Sequence, residues 1–222
     1  GSMFASMFKS TEWRVYVGVL LLFSAVIAWL GSADHPDLST SVRHSLFQVA
    51  SIGTSTGFSS TDWNGWHEVS RALLLLLIMS GACVGSTSGG IKLARVTIMA
   101  KAAVAALRRA VSPRRVTVVQ MDGAVISDSI VSSVIEFALL WTATLILGAL
   151  FLTGCGMTMI EAVAAAGTCL GNIGPGLDRF GPTRSFEELH SAGKLCMSAL
   201  MLLGRLEFYA LLVALVPRFW KD

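Results

Sequence analysis

Apolar residues in this chain run in long blocks set apart by polar, glycine-rich or charged stretches. Val15 to Leu30 is the first block, preceded by Lys9 and Arg14. A helix that crosses a bilayer needs roughly 20 mostly apolar residues, so this block reads as a spanning helix. The polar stretch Gly31 to Thr40 separates it from a mixed run, Val42 to Ile52, which is too short to span. That run leads into Gly53-Thr54-Ser55-Thr56-Gly57-Phe58-Ser59-Ser60-Thr61, where turn and hydroxyl residues argue against a regular helix. Apolar residues return from Trp66, peak over Leu73 to Ile78, and break again at Ser80 to Gly90. They resume from Ile91 to Leu107, which predicts a helix interrupted by a Gly/Ser-rich segment. Arg108 to Asp122 is a basic loop broken by Pro113.

The plan then repeats. Ile126 to Leu152 is a long apolar block, and Met159 to Leu170 is again too short to span. It runs into Gly171-Asn172-Ile173-Gly174-Pro175-Gly176 and a polar loop with Pro182. Leu195 to Val216 is the last block, interrupted by Gly204-Arg205-Leu206-Glu207. Each half reads as long helix, short helix, glycine-containing turn, long helix. Gly57 and Gly174 hold equivalent places 117 residues apart, although identity between the halves is low. The expected division is an N-terminal segment at 1–10, a repeat at 11–107, a cytoplasmic linker at 108–125 and a second repeat at 126–222. Gly1-Ser2 ahead of Met3 has the look of a cloning scar.

Composition agrees with a membrane protein. Of 222 residues, 54% are hydrophobic and 14% charged, where soluble domains carry about 25% charge. Mean hydropathy is +0.67. A disordered chain and an ordinary soluble enzyme are both disfavoured. The net charge of +3 is small, but its placement is informative: Lys92 to Arg115 holds seven basic residues and no acidic one. Basic loops stay cytoplasmic, which places this linker, and both termini with it, on the inside. Cys83, Cys155, Cys169 and Cys196 sit in apolar or glycine-rich stretches without metal or redox spacing and read as buried thiols. His35, His44, His67 and His190 read as surface residues near outer helix ends. Trp63, Trp66 and Trp220 fit an interfacial aromatic belt.

A short helix that enters a membrane and returns as extended backbone is tolerated only inside protein or along a watery cavity. Its useful product is a row of carbonyl oxygens able to replace a cation's water shell. Glycine helps, because carbonyl direction depends on residues at positive φ. Thr54-Ser55-Thr56-Gly57 and Gly171-Asn172-Ile173-Gly174 have this character; plain extracellular turns are the alternative. The Gly81 to Gly90 break lacks the Gly-Lys-Ser/Thr of a phosphate loop. It reads either as a kink for close helix packing or as mobile backbone beneath the turns. Arg205, inside an apolar block, either pairs with Glu207 or snorkels, or else faces a cavity. Lys92 reads as an interface anchor.

At this point the residues resemble a family. SIGTSTGFSSTDW at 51–63 resembles the third pore loop of the Trk/Ktr/HKT potassium transporters, and GNIGPG at 171–176 resembles their fourth. GACVGSTSGGIK at 81–92 resembles the Gly-rich interruption of the third inner helix, and LLGRLEF at 202–208 the arginine motif of the fourth. The chain is thus similar to the C-terminal half of a bacterial Trk-type membrane subunit. The resemblance implies an all-α integral membrane protein of two outer helix–pore helix–filter–inner helix repeats, half of a four-repeat pore. It implies K⁺ held by backbone carbonyls around Thr54, Ser55, Thr56, Gly57, Gly171, Asn172, Ile173 and Gly174. It implies a gate of Gly81, Gly85, Ser86, Thr87, Ser88, Gly89 and Gly90, with Arg205 projecting beneath the filter. Expected partners are lipid, a second copy or a missing N-terminal half, and a cytosolic nucleotide-binding regulatory subunit, with no nucleic acid. The expected location is the bacterial inner membrane. No enzyme chemistry is expected, since no nucleophile–base pair or metal cluster is visible. A non-conducting half-pore or assembly unit is the alternative. A secondary transporter with broken helices fits the parallel halves less well.

Overall fold

The computed structural model describes residues 8–31, 37–86, 88–112, 118–206 and 208. Seven helices organise them: α1 (Thr11–Gly31), α2 (Leu38–Gly53), α3 (Glu68–Ser80), α4 (Leu93–Val111), α5 (Asp128–Gly154), α6 (Met159–Gly171) and α7 (Ser191–Arg205). By length and composition, α1 and α5 can cross a membrane. They begin at Thr11 and Asp128, the same 117-residue interval that separates Gly57 from Gly174.

The short helices are built to stop. α6 opens with a capping box: the Glu161 amide donates to Thr158 Oγ1 (3.4 Å), and the Thr158 amide donates to Glu161 Oε2 (2.8 Å). It closes on Asn172 in the left-handed region, φ 54° and ψ 43°. α3 and α7 each follow a histidine whose Nδ1 accepts an amide two residues on, His67 from Val69 and His190 from Ala192, both at 3.2 Å. These exposed histidines therefore serve as helix caps.

Small residues put α6 at the centre. Ala162, Ala164, Ala165 and Ala166 are fully buried, and such side chains let helix backbones approach closely. Phe137, Trp141, Leu145 and Leu152 of α5 and Met197 and Leu200 of α7 close over α6. The first half of the chain has its own core of Ile27, Val49, Ile52, Leu74, Leu77 and Ile78. Ala164, Ile173 and Leu177 from the second half complete that core, so the two halves share one interior.

Several expectations are corrected. α4 starts at Leu93 and continues to Val111, into the stretch expected as loop; Arg108 and Arg109 are favourable near its C-terminal dipole. The rest of the linker is not all coil: β1 (Gln120–Met121) pairs antiparallel with β2 (Ala124–Val125). The turn between them, Asp122-Gly123, has positive φ at both residues, as a tight hairpin requires. Asp122 Oδ1 accepts the Thr11 amide at 2.6 Å, tying the linker to the start of α1. Trp63 is no belt residue; it is fully buried. Of the cysteines only Cys169 is buried, the others being half-exposed. Lys92 is buried rather than an interfacial anchor. His35, Trp220 and the last block beyond residue 208 lie outside the described residues.

Candidate functional site

The two glycine turns share one hydrogen-bond frame. After α2, the Thr56 amide donates to the Ser51 carbonyl (2.8 Å), and Ser51 Oγ donates to the Phe58 carbonyl (2.6 Å). After α6, the Ile173 amide donates to the Thr168 carbonyl (3.1 Å), and Thr168 Oγ1 donates to the Pro175 carbonyl (3.0 Å). Every atom in the second set lies 117 residues after its counterpart. The strained positions also match: Ser55 and Asn172 have φ of 57° and 54°, and Gly57 and Gly174 have 77° and 117°. Non-glycine residues seldom adopt that region, so two in register mark a conserved backbone shape rather than two chance loops. Thr168 additionally accepts the Gly174 amide (3.2 Å). In the first turn, Gln48, fully buried, accepts the Ser60 amide (2.9 Å).

The turns meet. A Cβ placed on Gly57 would lie 2.0 Å from the Ile173 carbonyl oxygen, so this glycine is required both by φ and by its neighbour. Gly174 has open space around it and is required by φ alone.

The Gly81–Gly90 segment reaches across to the end of α6. α3 ends at Gly81, φ 67°. Gly89 and Gly90 donate their amides to the carbonyls of Gly171 (3.1 Å) and Leu170 (3.2 Å). Carbonyls at a helix C-terminus have no partner within the helix, and here the segment supplies one. Gly89 and Gly204 both pack against the Leu170 oxygen; a Cβ on either would come within 2.1 Å and 2.2 Å of it. Inside the segment, Ser88 Oγ accepts the Ala82 amide (3.0 Å), and the Val84 amide reaches Glu12 Oε1 (2.5 Å).

A cavity of about 180 Å³ lies against this contact, lined by Ser86, Ser88, Gly89, Gly90, Lys92 and Arg205 among others. Arg205 and the segment thus line the same cavity, together with Lys92, which the sequence had set aside. Arg95 stacks over the Phe137 ring, 3.9 Å from its centroid, on the same wall. Gly81 and Gly85 stand apart from the cavity lining, and Thr87 lies outside the described residues. Missed from sequence were Ser51, Thr168, Gly204 and Lys92. The 117-residue interval, applied to the residues before each turn, points to the first two. Among the described residues, no group of His, Cys, Asp or Glu is placed to hold a metal ion.

Comparison with known proteins bears on this arrangement. Residues 12–221 match the TrkH family model, described as cation transport protein. The chain is 30% identical over 216 residues to the Trk system potassium uptake protein TrkH of Vibrio parahaemolyticus, covering 96% of this chain and 44% of that protein. It is 33% identical over 205 residues to TrkI of Halomonas elongata, covering 92% and 42%. The crystal structure of the potassium transporter TrkH from Vibrio parahaemolyticus superposes with a TM-score of 0.87 at 30% identity, over 96% of this chain and 46% of that one. The chain therefore spans less than half the length of the relatives it matches. They are named for potassium uptake and not for an enzyme activity, in line with the expectation from sequence. With nearly every residue inside the matched range and the expected resemblance met by fold and sequence alike, the chain belongs to the TrkH family of cation transport proteins.

Proposed function

We propose that this chain supplies two of the pore loops of a potassium uptake pathway, with 11–107 and 126–222 as its repeats and 108–125 as the cytoplasmic linker. The observation that carries the reading is the duplicated frame behind Thr54–Gly57 and Gly171–Gly174, in which a buried hydroxyl, Ser51 or Thr168, ties down the strand. Alternation of positive-φ residues with ordinary ones turns successive carbonyls to one side, the arrangement that dehydrates a monovalent cation. The C-terminal ends of α2 and α6 abut these turns, and their partial negative charge favours a cation there. K⁺ is the transported ion in this reading, and the protein's own backbone does the selecting.

The Gly81–Gly90 segment acts as the gate. Held by the Leu170 and Gly171 carbonyls, it sits under the second turn, with Arg205 beside it as a positive barrier to cations. The setting is the bacterial inner membrane with both termini cytoplasmic. The basic linker contacts lipid headgroups and offers a docking face to a cytosolic nucleotide-binding subunit. A second reading is a non-conducting half, favoured by the coverage of less than half of each relative. ⁸⁶Rb⁺ uptake into liposomes holding the purified chain, with its oligomeric mass measured in parallel, separates them. Selective uptake by a dimer supports a pore assembled from copies of this chain. No uptake from folded, inserted protein refutes that and leaves the half-pore.

A further inference from the structure

We propose that Asn64, assisted by Arg71, is a positioning residue for ion selection, setting the distance between the two glycine turns from outside; this rests on the filter reading above. Asn64 lies on a short 3₁₀ turn, Trp63–Gly65, seven residues after Gly57. Asp178 opens the matching turn, Asp178–Phe180, four residues after Gly174. The Asn64 amide group engages the backbone of Asp178 twice: Nδ2 donates to its carbonyl (2.8 Å), and Oδ1 accepts its amide (2.8 Å). A side-chain amide used in this way copies a pair of strand hydrogen bonds between segments 114 residues apart. The Asp178 carboxylate is in turn paired with Arg71 of α3, whose side chain is 12% exposed and whose Nη1 also donates to Glu68 (2.7 Å). Thr183 Oγ1 donates to Asp62 Oδ2 (2.8 Å), a further tie between the same turns.

Nothing in this link has slack. Asn64 rests on Gly181, where a Cβ would stand 2.2 Å from Nδ2. Its neighbour Trp63 and the opposing Leu177 and Phe180 are buried, so each turn is seated in the core. Asp178 holds φ at 53°, a conformation kept only where contacts enforce it. The carbonyl-bearing stretches themselves touch at Gly57 and Ile173, and beyond them the chains are joined again by Asn64 and Asp178. The second joint fixes how the outer ends of the two stretches stand to one another, and the choice between K⁺ and the smaller Na⁺ depends on the size and stiffness of the carbonyl site they form.

The test is ion-dependent thermal stabilisation of the purified chain in detergent, titrated separately with KCl and NaCl. A ligand that binds only the folded state stabilises it by RT ln(1 + [L]/Kd), so the concentration dependence of the melting temperature in the two titrations yields a K⁺/Na⁺ affinity ratio without requiring conduction. The unsubstituted chain is expected to prefer K⁺. Asn64→Ala, which removes both bonds to Asp178, should lower the ratio about tenfold. Asn64→Asp, which retains the acceptor for the Asp178 amide, should fall between. Arg71→Gln removes the ion pair while keeping both Asn64 bonds, and should lower the ratio even if Asn64→Ala does not fold. If the substitutions lower the ion-free melting temperature but leave the ratio unchanged, the link is merely structural and the proposal fails. If the unsubstituted chain shows no K⁺ preference, the filter reading itself fails, and that result is visible before any variant is made.

Discussion

Gly89→Ala is the sharpest test of how the Gly81–Gly90 segment is held. The added Cβ would lie 2.1 Å from the Leu170 oxygen, where ordinary contact begins at 3.4 Å. That oxygen is backbone at the end of a buried helix and cannot give way, so the segment must retreat by more than an ångström. The amides of Gly89 and Gly90, now 3.1 Å and 3.2 Å from their acceptors, then pass out of hydrogen-bond range. Each such bond contributes about 1 kcal/mol net, so the anchored state loses about 2 kcal/mol, or roughly 30-fold in its equilibrium against the released state. Hydrogen–deuterium exchange reads that equilibrium directly, because a locally opened segment exchanges in proportion to its open population. Peptides covering the segment should exchange roughly 30-fold faster at these two amides in Gly89→Ala. Protection in the α5 and α6 cores should be unchanged. Exchange at the same rate as in the unsubstituted chain would show that the carbonyls of Leu170 and Gly171 do not hold the segment.

Three further outcomes are expected. Thr168→Val leaves the Gly174 amide and Pro175 carbonyl without their hydroxyl partner and should cost about 1–3 kcal/mol in thermal unfolding, while Thr168→Ser stays near the parent; equal melting of Val and Ser variants contradicts the frame. Arg205→Ala should speed ⁸⁶Rb⁺ flux at equal protein content if Arg205 is a cation barrier, and equal or slower flux removes that role. Hydrogen bonding from the Thr11 side chain, with the Thr11 amide beside it, holds the Asp122 carboxyl below its ordinary value of 3.8. A lowered folded-state value means the tie is fully present above the ordinary value and is lost as pH falls through the lowered one. The ¹⁵N resonance of Thr11 should therefore titrate with a midpoint below 3.8, and a midpoint at or above it would show that the bond is absent in solution.

The helices and the paired glycine turns were legible because their signals are local. A long apolar block, a run too short to span and a glycine turn can each be read in a window of twenty residues, and the family resemblance fixed their order. The turn residues were legible for the same reason, since Gly57 and Gly174 announce positive φ. What surrounds them was not. Ser51 and Thr168 look like ordinary helix residues until their hydroxyls are seen to reach seven residues forward. Lys92 looks like an interfacial cation because it opens a helix directly after a Gly/Ser-rich break, yet the fold buries it. Trp63 was misread by the same rule: a tryptophan next to Asp62 resembles a belt residue, but Leu177 and Ile78 close over it. Arg71, Asn64 and Asp178 are common polar residues whose association spans more than a hundred positions, and no local pattern encodes it.

Two glycines at matching distances from a helix start do different work. Gly81 and Gly204 each stand 14 residues after the histidine that caps α3 or α7. At Gly81 the chain turns to φ 67° and leaves the helix, where a Cβ would strike the Gly89 carbonyl. Gly204 lies within α7, one residue before the helix ends at Arg205, and its missing Cβ lets α7 close on the Leu170 oxygen. The same residue type thus serves a break in one half of the chain and a close approach in the other. The Gly81–Gly90 segment lies on the C-terminal end of α6, so the segment and the carbonyls that hold it come from different halves of the chain. The two turns match through the 117-residue interval, and the departure from the helix at Gly81 is what places the segment against the second of them.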